Sequence, residues 1–379
     1  MHKGKILFIA TVESHILYFH VPFLKYFQEK GYEVHVATKL GRRRDELEKE
    51  SILCHKVSFS RSPYSLATIK ALRQLLQIMR DSNFSLVHVH TPMGAFLGRL
   101  AAKLTNTKPV LYTAHGFHFY KGAPIKNWLI YYSMERVAAH WTDGIVTMNE
   151  EDYQFARKFK LREDNAVFIV PGVGLPVGKY EIIDANIGNK KLRQQMGYGD
   201  EDTLLLTVAE LISGKNHIQT IKAMQEVVKH KKNVHLLIAG EGKLEGKLKK
   251  MVTRFGLQEN INFLGYRKDI PALLCLIDIF ISTSRREGLP RSIMEAMAAG
   301  KPIVATDVRG NRDLVQDDVN GYLVPLNDTG KTVEALLKLV NDKELATKMG
   351  GKGREIIKDY SIEKVLHEME HVYRKFLSQ

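Results

Sequence analysis

At 379 residues the chain is too long for one ordinary hydrophobic core and long enough for two domains of normal size. Its 44% hydrophobic and 26% charged residues suit a soluble globular protein; the one N-terminal apolar run, Ile6 to Val12, is too short to span a bilayer and lacks the small-residue cleavage site of a signal peptide. Residues 1–171 hold 24 Lys and Arg against 15 Asp and Glu and carry most of the net charge of +14, which leaves nucleic acid, an anionic membrane surface and a phosphorylated substrate open as partners.

In chain order, Lys5–Thr11, Glu33–Thr38, Leu53–Phe59, Leu86–Thr91, Val110–His115, Gly144–Met148 and Val167–Val170 read as strands separated by helical stretches. The second half starts a new series with Leu204–Ala209, Val234–Ala239, Ile261–Leu264, Ile277–Thr283, Ile303–Thr306 and Tyr322–Val324, and amphipathic segments such as Ile218–His230 and Lys331–Leu339 lie between them. Alternating strands and helices predict parallel βαβ units, and two such series predict two Rossmann-like domains in tandem. The linker candidate is Pro171 through about Gly199, rich in Gly, Pro and polar residues. Ile362 to Phe376 reads as an amphipathic helix that follows a completed domain. Leu66 to Arg80 is another, carrying Lys70, Arg73 and Arg80; it suits packing on its own sheet or lying on an anionic bilayer. Cys54 and Cys275 sit far apart in apolar segments and read as reduced core residues of a cytosolic protein.

The chemistry concentrates in Glu287-Gly-Leu-Pro-Arg-Ser-Ile-Met-Glu295. A buried strand precedes it and a helix is predicted over Ser292–Gly300, so one carboxylate stands on a strand-to-helix loop and the other on the helix. Such a turn offers N–H groups and a helix dipole to an anion, while the carboxylates can hold sugar hydroxyls. The arrangement points to a nucleotide-sugar enzyme. His235 to Gly242 runs a strand into Gly240 and Gly242, where the backbone can approach a phosphate or simply pack tightly. The next glycine is Gly246, and Asn262-Phe-Leu-Gly265 ends without an acidic residue, so an NAD site is disfavoured. Lys215, at another strand-to-helix junction, can neutralise a diphosphate leaving group or stand in solvent. Asp200-Glu-Asp202 has the DxD form but precedes a strand and reads as a solvated turn; no other His, Cys or carboxylate cluster has metal-ligand spacing. His115 and His118 follow a predicted strand and can face a sugar hydroxyl or be satisfied core histidines.

Taken together, these segments resemble the family 4 retaining glycosyltransferases of the GT-B fold over nearly the whole chain. The resemblance rests on Glu287–Glu295 as the EX7E motif, Gly240-Glu-Gly242, Lys215 and the run from Glu295 to Thr306. Thr113 to Phe119, Asn127-Trp128 and Arg309-Gly-Asn-Arg312 look like the bacterial capsular and exopolysaccharide enzymes. It implies two Rossmann-like domains with a cleft between them: an acceptor-side domain, 1–171, on which a helix at 361–379 packs back, and a donor domain, 172–360. It also implies that Lys215 holds the donor diphosphate, and that Glu287 faces the donor sugar near the backbone of Gly288, Leu289 and Arg291. Glu295 would bind the ribose, the loop from Tyr266 would frame the base, and His115 would reach the donor sugar. Two departures stand out. Glu210 occupies the place where many members have a second diphosphate-binding arginine, leaving more to Lys215 or Arg291. Thr11-Val-Glu-Ser-His15 replaces a Gly-Gly loop, making Glu13 and His15 acceptor-side candidates.

The expected activity is therefore retaining transfer of a sugar, without metal or other cofactor, from a UDP-sugar to a polyprenyl-diphosphate-linked saccharide. The expected setting is exopolysaccharide or capsule synthesis in the cytoplasm, with peripheral attachment to the inner face of the membrane left open. The competing readings are a GT-B UDP-sugar epimerase and a basic polyanion-binding protein; no helix-turn-helix, RRM or zinc signature supports nucleic acid as a partner.

Overall fold

A computed structural model describes residues 3–60, 65–164, 166–181 and 192–377; part of the predicted linker lies outside them. The chain forms two compact units, Met1–Gly174 with Ile362–Gln379, and Leu175–Ser361.

The first unit holds β1 (Lys5–Val12), β2 (Glu33–Lys39), β3 (Leu53–Lys56), β4 (Leu86–His90), β5 (Val110–Ala114), β6 (Gly144–Thr147) and β7 (Val167–Ile169). They pair in the order β3-β2-β1-β4-β5-β6-β7, every pair parallel. Parallel strands covered by helices on both faces must be apolar on both, which is why they read as continuous hydrophobic runs. On β1, Leu7 and Ile9 join Val87, Val89 and Tyr112 on one face. Ile6, Phe8 and Ala10 join Val36, Leu86 and Leu111 on the other, where Val365, Met369, Val372, Tyr373 and Phe376 of the helix Ile362–Leu377 complete the core.

The second unit holds β8 (Thr203–Val208), β9 (Val234–Ala239), β10 (Ile261–Gly265), β11 (Ile279–Ser282), β12 (Ile303–Thr306) and β13 (Gly321–Val324), in the parallel order β10-β9-β8-β11-β12-β13. Leu204, Leu206, Phe280 and Ala305 face one side of the sheet; Leu205, Ile279, Ile281 and Val304 face the other.

Helix Leu66–Asp81 packs Ala71, Leu75 and Met79 on its sheet, with Lys70, Arg73 and Arg80 facing outward. Leu66 and Ile69, near its start, are 84% and 53% exposed. Among the described residues no helix is long and apolar enough to cross a membrane. The two cysteines are half-buried rather than in the core, because each lies near an element's end; burial still raises the Cys54 thiol to about 11.

Candidate active site

In an open parallel sheet the ligand crevice lies at the carboxyl ends of the two strands where the strand order reverses. In residues 175–361 these are β8 and β11. The chain leaves β8 through Ala209–Asn216 and leaves β11 through Thr283–Pro290, and the two loops are stapled together. The Thr283 hydroxyl donates to the Asn216 carbonyl (3.0 Å), the Arg285 amide to the Gly214 carbonyl (2.8 Å), and the Arg285 guanidinium to Asn216 Oδ1 (3.0 Å). Asn216 takes the left-handed conformation, φ 51°, which turns the short 3₁₀ segment Ser213–Lys215 into the helix His217–His230. Lys215 and Glu287, 72 positions apart, thereby meet: Lys215 Nζ donates to Glu287 Oε1 at 2.5 Å, with side chains 29% and 12% exposed.

The exit of β12 braces this loop. Arg309, itself buried, donates from Nε to the Glu287 carbonyl (3.2 Å). Gly310 has φ 79°, and a Cβ there would stand 2.5 Å from the Gly288 carbonyl oxygen, so only glycine fits. Pro290 caps the helix Arg291–Ala298, one turn of which brings Arg291 Nε to Glu295 Oε1 (2.9 Å). Burial and the adjacent Glu295 push the Tyr180 hydroxyl's pKa upward. Leu289 packs against the core.

Gly240 and Gly242 have a packing reason for lacking side chains. A Cβ on Gly240 would lie 2.0 Å from the Ala209 carbonyl oxygen, and one on Gly242 2.6 Å from that of Leu211. The glycine turn is thus pressed onto the loop that carries Lys215. Beside it, the Tyr266 amide donates to Glu241 Oε1 (3.3 Å), and the Tyr266 ring is largely exposed. Glu210 points into solvent and uses its carbonyl to hold His217 (3.1 Å). Arg285, bonded to Gly214 and Asn216 on either side of Lys215, brings a further cation to the stapled loops, and sequence reasoning missed it because its place depends on the stapling. Asp202 lies at the entry of β8, where Oδ2 accepts from the Gly199 amide (2.7 Å), away from the exits that carry Lys215 and Glu287.

In the first unit the strand order reverses between β1 and β4. Their exits are clasped by Thr11 and Thr91, whose hydroxyls lie 2.6 Å apart, with Thr91 at φ 61°. Glu13 follows β1, and its carboxylate accepts from the amides of Gly41 (2.5 Å) and Arg43 (3.1 Å), fixing the loop after β2. His15 and His115 pack edge to face at 4.5 Å, His20 stacks on His90 at 3.8 Å, and His90 Nδ1 lies 3.3 Å from His115 Nε2. Burial holds all four imidazoles neutral, lowering His15 to about 4 and the others well below the usual histidine value. His15, His20 and His115 present ring nitrogens within 4.8 Å of one another. This corrects the expectation that no further cluster has ligand spacing: the sheet assembles what the sequence keeps far apart. His118 stands apart from the group, its ring 4.7 Å from Tyr131 and its carbonyl accepting from Asn127 (2.8 Å).

Two doubly wound parallel sheets, one carrying a cation–carboxylate pair at its switch point, define the GT-B class of nucleotide-dependent enzymes. Residues 188–356 match the family model "Glycosyl transferases group 1" and residues 5–149 match "Glycosyl transferase 4-like". EpsD of Bacillus subtilis (strain 168), a protein named as a glycosyltransferase, is 35% identical over 98% of this chain and 97% of its own. The Escherichia coli UDP-Gal:alpha-D-GlcNAc-diphosphoundecaprenol alpha-1,3-galactosyltransferase is 26% identical over 85% of this chain and 81% of its own. The chain belongs to this glycosyltransferase family. Among solved structures, Anabaena Alr3699/HepE in complex with UDP and glucose superposes with a TM-score of 0.81 at 19% identity, covering 98% of this chain and all of that one. These matches do not favour the epimerase or polyanion-binding readings.

Proposed function

We propose that the chain is a retaining hexosyl- or N-acetylhexosaminyltransferase that needs no metal for transfer. It moves sugar from a UDP-sugar to a polyprenyl-diphosphate-linked saccharide in exopolysaccharide or capsule synthesis. The observation that carries this reading is the Lys215–Glu287 pair, held by stapled loops at the switch point of residues 175–361, with Arg285 alongside. HepE is solved with UDP and glucose, and the E. coli relative is named for a UDP-sugar donor, a diphosphoundecaprenol acceptor and an alpha linkage.

Donor binding exchanges the Lys215–Glu287 ion pair for two contacts: Lys215, aided by Arg285, takes the diphosphate, and Glu287 turns to the sugar. As the sugar–phosphate bond breaks, the electron pair goes to the diphosphate oxygen, where fixed cations stabilise it. The acceptor hydroxyl attacks from the same face and gives its proton to a donor phosphate oxygen. Glu295, positioned by Arg291, binds the ribose; Tyr266 frames the base; the Gly240–Gly242 turn and the backbone at Gly288 and Leu289 shape the pocket. The loop held by Glu13 serves the acceptor side.

Calorimetric titration with UDP, GDP and ADP in EDTA tests the donor assignment. UDP is expected to bind selectively. Lys215→Ala is expected to weaken it about ten- to a hundredfold, the range of a lost charge-assisted contact, and Arg285→Ala to weaken it less. Lys215→Ala and Glu287→Ala should each lose transfer while folded; near-normal rates in both would sink the assignment. The outward Lys70, Arg73 and Arg80, with exposed Leu66 and Ile69, suit an anionic bilayer at the cytoplasmic face. Sedimentation with anionic liposomes at low salt should recover the chain, and the triple Ala variant should stay in the supernatant; equal recovery of both would remove this surface.

A further inference from the structure

We propose that His15, His20 and His115 form a binding site for one transition-metal dication of the zinc class. The helix Glu13–Phe19 and its cap carry His15 and His20 past the exit of β1, and His115 stands just past β5. Their ring nitrogens lie within 4.8 Å of one another. Zn–N bonds of about 2.1 Å set tetrahedral nitrogens roughly 3.4 Å apart, so rotations of order 1 Å close the set.

A second observation points the same way. Nε2 of His15, of His20 and of neighbouring His90 is buried with no hydrogen-bond partner. A buried polar atom left without a hydrogen-bond partner is costly, and an ion among these rings would answer those of His15 and His20. His90, whose Nδ1 faces His115 Nε2, is placed to orient that ring, as ligating imidazoles commonly require. Three imidazoles with neither carboxylate nor thiolate select Zn²⁺, Cu²⁺ or Ni²⁺ over Mg²⁺, Ca²⁺ or Mn²⁺. The remaining coordination position is left to water or another oxygen ligand. The site does not depend on the transfer chemistry assigned to Lys215 and Glu287.

Two other arrangements compete. A cavity of about 10 Å³ lined by His20, His88 and His90 is near the size of one water, which could satisfy the orphaned nitrogens instead. The exposed pair His367 and His371, Nε2 atoms 3.2 Å apart on the last helix, could bind an ion at the surface.

The test uses the full chain stripped with EDTA, titrated with Zn²⁺ by calorimetry and with Co²⁺ by visible absorption. One ion per chain is expected, with the intense d–d bands of four-coordinate Co²⁺. His15→Gln and His20→Gln should each weaken Zn²⁺ by at least about 100-fold, the upper end of what losing a mere orienting partner costs, while His371→Gln leaves it unchanged. Circular dichroism shows which variants fold, and His15→Gln, at the less buried ligand, carries the test if His20→Gln does not. Absence of stoichiometric binding would support water in the cavity and overturn the site. Binding abolished by His371→Gln but retained by His15→Gln would overturn it in favour of the surface pair.

Discussion

Gly310 shows how a residue with no chemistry of its own can govern the donor loop. Its φ of 79° and the carbonyl of Gly288 in its Cβ position make alanine doubly unwelcome. The left-handed backbone alone costs roughly 1–2 kcal/mol, and the clash pushes on Glu287–Pro290. Gly310→Ala should therefore weaken UDP binding with circular dichroism unchanged; unaltered affinity would mean that the brace from β12 is dispensable. His88 gives a pH dependence. It is buried between Phe8, His90, Thr113 and Tyr373, and burial lowers its pKa from 6.5 to about 3. The unfolded chain binds this proton first, so stability is full above about pH 6.5 and falls as pH drops towards 3. Acid titration followed by fluorescence should show the loss beginning near pH 6, and His88→Gln should lessen it only in part, because the buried His15, His20, His90 and His115 lose stability over the same range. At this scale the sequence was legible where chemistry is local. Glu287 and Glu295 sit in one short motif, whereas the histidine group and Arg285 depend on chain crossings that no spacing reveals. The glycine turn could be read either way, and backbone contact with Ala209 and Leu211 now supplies its packing half.

The elements were more legible than the contacts. All thirteen strands stand where apolar runs predict them, because a parallel strand buried on both faces cannot hide its composition. The ends were less so. Leu53–Phe59 was expected as a strand and β3 stops at Lys56, yet Val57 and Phe59 are buried beyond it. Apolar content reports burial, while a strand also needs a ladder partner. The π-helical turn Trp128–Tyr132 had no signal, since a single such turn carries no hydrophobic pattern of its own. The last helix is tied to the sheet by more than apolar area: the Tyr373 hydroxyl meets His88 Nδ1 at 3.1 Å, while His88 Nε2 meets the Thr113 hydroxyl at 2.7 Å. Tyr373→Phe removes one partner of a buried polar atom and should cost about 1–3 kcal/mol in urea denaturation. A change below about 0.5 kcal/mol would mean that water replaces the hydroxyl.

At the scale of the molecule, each unit has its own sheet and its own two-faced core. A ligand that binds one unit should stabilise that unit by mass action, about 2.7 kcal/mol at a hundred times its Kd. For a unit of this size that is a rise of roughly 5–10 °C. Scanning calorimetry with UDP should therefore raise the transition of residues 175–361 by this amount. A rise confined to the other unit would place the nucleotide on the wrong sheet.

The return of the last helix to the first sheet also sets an order of events during synthesis. Val365, Met369, Val372, Tyr373 and Phe376 close the face carrying Ile6, Phe8 and Val36, yet they leave the ribosome only after the 187 residues of Leu175–Ser361. At about 5–20 residues per second the first unit waits roughly 10–40 s with that face uncovered. A nascent chain that stops before Ile362 keeps that face bare, exposing apolar side chains that the finished first unit buries.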